Sequence, residues 1–82
     1  MTILPVHPKV ITYLNRRGLL RKFEKQVAFF KIDPSHPSLE IELLEPKYLR
    51  LWSFRINKKY RAIFIFRGTN TVEIIDVNNH YR

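Results

Sequence analysis

The stretch LWSFRINKKYRAIF, residues 51–64, sets the architecture of this chain. Trp52, Phe54 and Ile56 alternate with Leu51, Ser53 and Arg55. After Asn57-Lys58-Lys59, a second alternation sets Tyr60, Ala62, Phe64 and Phe66 against Arg61, Ile63, Ile65 and Arg67. A period of two puts successive side chains on opposite faces, which is the signature of a half-buried strand. Two such runs joined by a short polar turn read as an antiparallel hairpin. With the turn centred on Lys58, Ile56 opposes Tyr60 and Arg55 opposes Arg61.

Downstream, Gly68-Thr69-Asn70 is a turn signal and Thr71 to Val77 reads as a further strand. Upstream, Leu39, Ile41 and Leu43 alternate with Glu40, Glu42 and Leu44, which predicts a strand that breaks at Pro46. DPSHPS, residues 33–38, reads as a loop. Before it the period changes to helical. Leu20, Phe23, Val27 and Phe30 share one face of a helix expected from about Leu19 to Lys31. Arg21, Lys22 and Lys25 fall off that face and read as a solvated basic surface. A first helix is expected from Lys9 to Arg17, with Val10, Ile11 and Leu14 on its apolar side, Pro8 in its first turn and Gly18 as its stop. Residues 2–6, TILPV, suit a short edge strand, because Pro5 cannot donate a ladder hydrogen bond. Helices followed by an antiparallel meander imply an α+β fold, with one helical layer on one face of the sheet.

The 82 residues fit one domain, 1–82, with a single small core. An apolar content of 45% with 13% aromatics excludes a disordered chain. The apolar runs are too short to span a bilayer, and MTILPVHPKV lacks the order of a signal peptide. Cysteine is absent, which rules out disulfides and thiolate metal sites and suits the cytoplasm. His7, His36 and His80 have no paired spacing, so neither a metal nor another cofactor is expected. Fifteen Lys+Arg against 7 Asp+Glu give a formal net charge of +8, a field that attracts nucleic acid, an acidic protein or an anionic surface.

Chemistry concentrates at the hairpin. Two arginines opposed across a strand pair repel one another unless an anion lies between them. Guanidinium groups make forked hydrogen bonds to phosphate, so Arg55 and Arg61, with Lys58 and Lys59 in the turn, are candidate phosphate or RNA ligands. The alternative is that both arginines pair with Glu40, Glu42 or Glu73, or extend into water. If the last strand lies beside the Tyr60–Phe66 strand, antiparallel to it, its end lies near the start of that neighbour. This would bring His80 and Tyr81 toward Arg61, with Glu42 at the same edge. A carboxylate, arginines, a histidine and a tyrosine suit metal-free RNA cleavage. There the ribose 2′-OH attacks phosphorus, a base and an acid move protons, and cations hold the phosphorane charge.

HPSL at 36–39, LWSFRINKKYRAIF at 51–64 and HY at 80–81, in this order and spacing, resemble the RelE/ParE superfamily of bacterial toxins. The match is best to its YoeB-like and YafQ-like ribonuclease members and covers roughly residues 36–82. The resemblance implies two helices packed on a twisted, mainly antiparallel sheet. It implies the toxin of a type II toxin–antitoxin pair, cutting mRNA in the ribosomal A site, with a cognate antitoxin as partner. Within it, Glu42 matches a general base, Arg61 the functional arginine, and His80 and Tyr81 the terminal pair. Arg55 matches a basic position in the tryptophan-containing strand before the turn. ParE-type relatives act on DNA gyrase instead, and a non-enzymatic basic binding module is a third possibility for this composition.

Overall fold

Pro8 supplies the preset φ of a first helical turn, and the side chain of His7 caps it by accepting from the backbone N–H of Lys9 at 3.0 Å. The helix so started, α1, spans Pro8–Arg16, and Gly18 closes it at φ 68. A glycine takes that left-handed conformation without steric cost. The second helix, α2, covers Leu20–Ile32. These elements belong to a computed structural model that describes residues 1–79, and His80 and Tyr81 lie outside the described residues.

Among the described residues five strands form one mixed sheet: β1 at Thr2–Ile3, β2 at Glu42–Leu43, β3 at Trp52–Arg55, β4 at Tyr60–Gly68 and β5 at Thr71–Asn79. Their spatial order is β1-β5-β4-β3-β2. β2 to β5 form the antiparallel meander, and β1 joins the far side of β5 in parallel. The hairpin register is the one the alternation demands. Trp52 faces Phe64, Phe54 faces Ala62 and Arg55 faces Arg61.

The pleat then sorts the sheet into two unlike faces. Phe54, Ala62, Phe64, Val72, Ile74 and Val77 are buried with Leu14, Phe23 and Phe30 of the helices. Phe30 packs its ring against both Phe54 (5.6 Å) and Phe64 (5.1 Å). Replacing such a buried phenylalanine by alanine costs about 3–5 kcal/mol, so this aromatic cluster carries much of a small domain's stability. Ser53, Arg55, Arg61 and Ile63 alternate onto the other face. A bulge in β5 at Ile75 restores the alternation, so Ile74 and Val77 both reach the core.

Two expected strands are shorter than the alternation suggests. The run from Leu39 to Leu43 yields a strand only at Glu42–Leu43. Pro37–Leu39 is a 3-10 turn capped by His36, and Glu40 follows it in the left-handed region at φ 45 and ψ 54. A residue so placed cannot continue a ladder, and the backbone and side-chain oxygens of Glu40 face arginines instead. At the N-terminus only Thr2–Ile3 is strand, although the Leu4 N–H still donates to the Val72 carbonyl at 2.9 Å. No helix among the described residues is long and apolar enough to cross a membrane.

Candidate functional site

The centre of the polar sheet face is Arg61. It is only 2% exposed. A buried guanidinium must have its N–H groups satisfied, and here the neighbouring strand and loop satisfy them. Its Nε donates to Ser53 Oγ at 2.8 Å. Its Nη2 donates to the Glu40 carbonyl and, at 3.4 Å, to the Ser53 carbonyl. The remaining nitrogen, Nη1, has the Glu40 carboxylate at 3.8 Å. Burial lowers the pKa of Arg61 from its ordinary value, the carboxylates of Glu42 and then Glu40 oppose that shift, and Arg55 adds to it. Its hydrogen bonds to Ser53 and Glu40 thus hold the guanidinium in place beside two acids.

Glu40 also reaches the second arginine. Arg55 Nη1 donates to Glu40 Oε2 at 2.9 Å. The cross-strand arginine pair is thus real, and the anion between its members is an internal carboxylate.

Two clefts open on either side of this cluster. One, of about 600 Å³, is lined by Glu42, Glu45, Ser53, Arg61, Ile63, Asn78 and Asn79. Glu42 and Arg61 therefore share a cleft, as the strand order requires. β2 lies beside β3 with Glu42 opposite Ser53, and β5 lies beside β4 with Asn78 opposite Arg61. The other cleft, of about 670 Å³, collects Lys22 and Lys25 from α2 with Arg55, Lys58 and Lys59 from the hairpin. Lys58 and Lys59 thus line a different cleft from Glu42 and Arg61, while Arg55, which also lines the lysine cleft, stays paired with Arg61 through Glu40.

The floor of the lysine cleft is Gln26, buried at 7% exposure. Its Nε2 donates to the Ser38 carbonyl at 3.1 Å and to the Arg55 carbonyl at 2.8 Å, tying α2 to the loop and to the end of β3. The sequence carries one signal for it, a polar residue three positions after Phe23 on the apolar stripe. Ser53 has a weaker signal, a small hydroxyl residue between Trp52 and Phe54 and two positions before Arg55. Lys22 and Lys25 are solvated as expected, yet they converge with the turn lysines, which lie far away in sequence. Among the described residues no group of His, Asp and Glu could hold a metal ion.

A buried arginine pinned by a serine on the neighbouring strand, beside a glutamate at the sheet edge, thus sits on a two-helix, five-strand domain. This architecture matches solved toxin structures along nearly its whole length. The chain has the YoeB/ParE toxin fold. A YoeB/ParE toxin from Agrobacterium tumefaciens superposes with a TM-score of 0.70 at 19% identity, covering 98% of this chain and 96% of that one. A YoeB-YefM toxin-antitoxin complex from Staphylococcus aureus gives 0.68 at 18% identity, covering 98% and 94%. A copper-bound mutant toxin from Helicobacter pylori gives 0.70 at 11% identity, covering 96% and 91%. No family model matches the sequence, and no curated protein matches it. The YoeB/ParE likeness therefore resides in the course of the backbone, with few identical side chains.

Proposed function

We propose that the protein is the toxin component of a type II toxin–antitoxin system and acts as a ribosome-dependent mRNA endoribonuclease. The observation that supports this reading is the cleft that a hydrogen-bonded Arg61 shares with Glu42 and that Asn79, one residue before His80, also lines. In the proposed reaction Glu42 takes the proton of the ribose 2′-OH, and the freed oxygen attacks the adjacent phosphorus. His80 donates a proton to the departing 5′ oxygen. Arg61 stabilises the phosphorane from a preorganised position, and Arg55 adds a second guanidinium once its carboxylate partner yields. Tyr81 stacks on a base or orients the phosphate. No cofactor is required, because RNA brings its own nucleophile.

The lysine cleft supports the same reading through electrostatics. Four lysines and an arginine on one side of the molecule attract a phosphate-rich surface such as ribosomal RNA. The same positive field suits capture by an acidic antitoxin segment, and the Staphylococcus aureus relative of this fold was solved with an antitoxin. The domain would then work in the cytoplasm, where translating ribosomes are.

Primer extension on a defined mRNA in a reconstituted translation reaction tests the reading. Wild type is compared with His80→Ala and Arg61→Ala, with and without ribosomes. Ribosome-dependent cuts that vanish in both variants are the expected result. Undiminished cutting by both folded variants would overturn the site assignment. No cutting by folded wild type would overturn the nuclease reading, and a gyrase supercoiling assay would then separate a ParE-type inhibitor from a binding module.

A further inference from the structure

We propose that Glu40 is a built-in competitor for the phosphate position, a carboxylate that holds the Arg55–Arg61 pair until a phosphodiester displaces it. The inference rests on the reading of that pair as phosphate ligands.

Three observations carry it. First, one carboxylate serves both arginines: Oε2 lies 2.9 Å from Arg55 Nη1 and Oε1 lies 3.8 Å from Arg61 Nη1. The two guanidinium groups therefore converge on one carboxylate. A phosphodiester, with its two unesterified oxygens, can meet both at bonding distance where the carboxylate bonds only one.

Second, the carboxylate is not what positions Arg61. Ser53 Oγ, the Ser53 carbonyl and the Glu40 backbone carbonyl do that. The side chain of Glu40 can rotate away while Arg61 keeps these bonds.

Third, rotation is inexpensive. The Glu40 side chain is 50% exposed and that of Arg55 is 35% exposed, so the ion pair between them is a semi-solvated one of the weak kind. The left-handed backbone at Glu40 turns the carbonyl onto one arginine and the carboxylate onto the other. A carboxylate so placed lowers affinity for any stray anion. It selects a ligand that is also held elsewhere, such as an RNA strand reaching the lysine cleft beyond Arg55.

The test is binding of a 2′-O-methyl RNA hexanucleotide, which cannot be cleaved, to wild type, Glu40→Gln and Glu24→Gln. Glu24 is an exposed acid on α2, so its variant makes the same change in net charge away from the arginines. Apparent affinity falls by the fraction of molecules free of the competitor, so a carboxylate that leaves about one-fifth of them free makes Glu40→Gln bind about fivefold tighter, with Glu24→Gln less than about twofold tighter. Equal effects in the two variants, or weaker binding by Glu40→Gln, would overturn the proposal and make Glu40 a positioning residue. Should Glu40→Gln fail to fold, nitrogen-15 spectra of the wild-type arginine side chains on titration with the same RNA decide. Shifts of both Arg55 and Arg61 Nε resonances support displacement, and an unchanged Arg55 resonance opposes it. Cleavage by wild type with no gain in Glu40→Gln leaves the nuclease standing and removes the competitor. Tighter binding by Glu40→Gln without wild-type cleavage does the reverse.

Discussion

Arg61 and Ser53 are joined across β3 and β4 by a 2.8 Å hydrogen bond from Nε to Oγ, and both residues are buried. Ser53→Ala leaves a charged donor without that acceptor, which costs about 1–3 kcal/mol for a buried group. Urea denaturation should show the loss. Because Arg61 is then less firmly held, cleavage should fall further than stability alone explains, and an unchanged rate would argue that Ser53 does not position Arg61.

Arg61→Lys separates charge from geometry. An ammonium group is a point charge and cannot span Ser53 Oγ and the Glu40 carbonyl as the planar fork does. Under the nuclease reading, cleavage on translating ribosomes drops by about 100-fold in this variant, in the range seen when a transition-state donor is removed. Circular dichroism checks that the sheet persists.

Gln26→Leu keeps the volume of the side chain and removes its amide. The Ser38 and Arg55 carbonyls then lose a shared donor, at about 1–3 kcal/mol where they stay buried. The thermal midpoint should fall by several degrees or more, as about 1 kcal/mol moves a domain of this size by roughly 4–8 °C.

Lys22 and Lys25 are expected to act with Lys58 and Lys59 as one electrostatic surface. The double variant Lys22→Gln/Lys25→Gln should weaken binding to single-stranded RNA and flatten its salt dependence. The slope of log K against log salt should change by about 0.7 for each phosphate no longer neutralised. An unaltered slope would show that these lysines touch no phosphate.

Asp33 accepts from the Ser35 hydroxyl and then the Ser35 N–H, and these bonds hold its pKa below the ordinary 3.8. The folded value is depressed, so this contribution to stability is present above the unfolded pKa and fades as pH falls through the folded one. Carbon-13 titration of the Asp33 carboxyl should place its midpoint below 3.8, and Ser35→Ala should raise it.

Local chemistry makes the hairpin register readable. The alternation in residues 51–64 has one arrangement that turns Trp52, Phe54, Ala62 and Phe64 to a single face, and a slip of one residue would turn all of them away from the core. The Arg55–Arg61 pairing follows from that register alone. The helices are readable for a similar reason, since Pro8, Gly18 and the spacing of Phe23 and Phe30 act within a few residues. The extent of the strand before Pro46 is not readable in this way, because alternation at Leu39–Leu43 is a weak local preference that the bonds of Glu40 to the arginines override.

The α+β order, the antiparallel core of the sheet and the meeting of two arginines are all written in the order of the residues. Each is set by side-chain period and turn chemistry over short distances. Three further features arise only when distant segments pack: which anion lies between the arginines, the fixing of Arg61 by Ser53 and a backbone carbonyl, and the joining of Gln26 and the α2 lysines to the hairpin. They depend on where a helix and a loop come to rest against the sheet. That placement comes from burying the aromatic cluster as a whole, and no single stretch of residues encodes it.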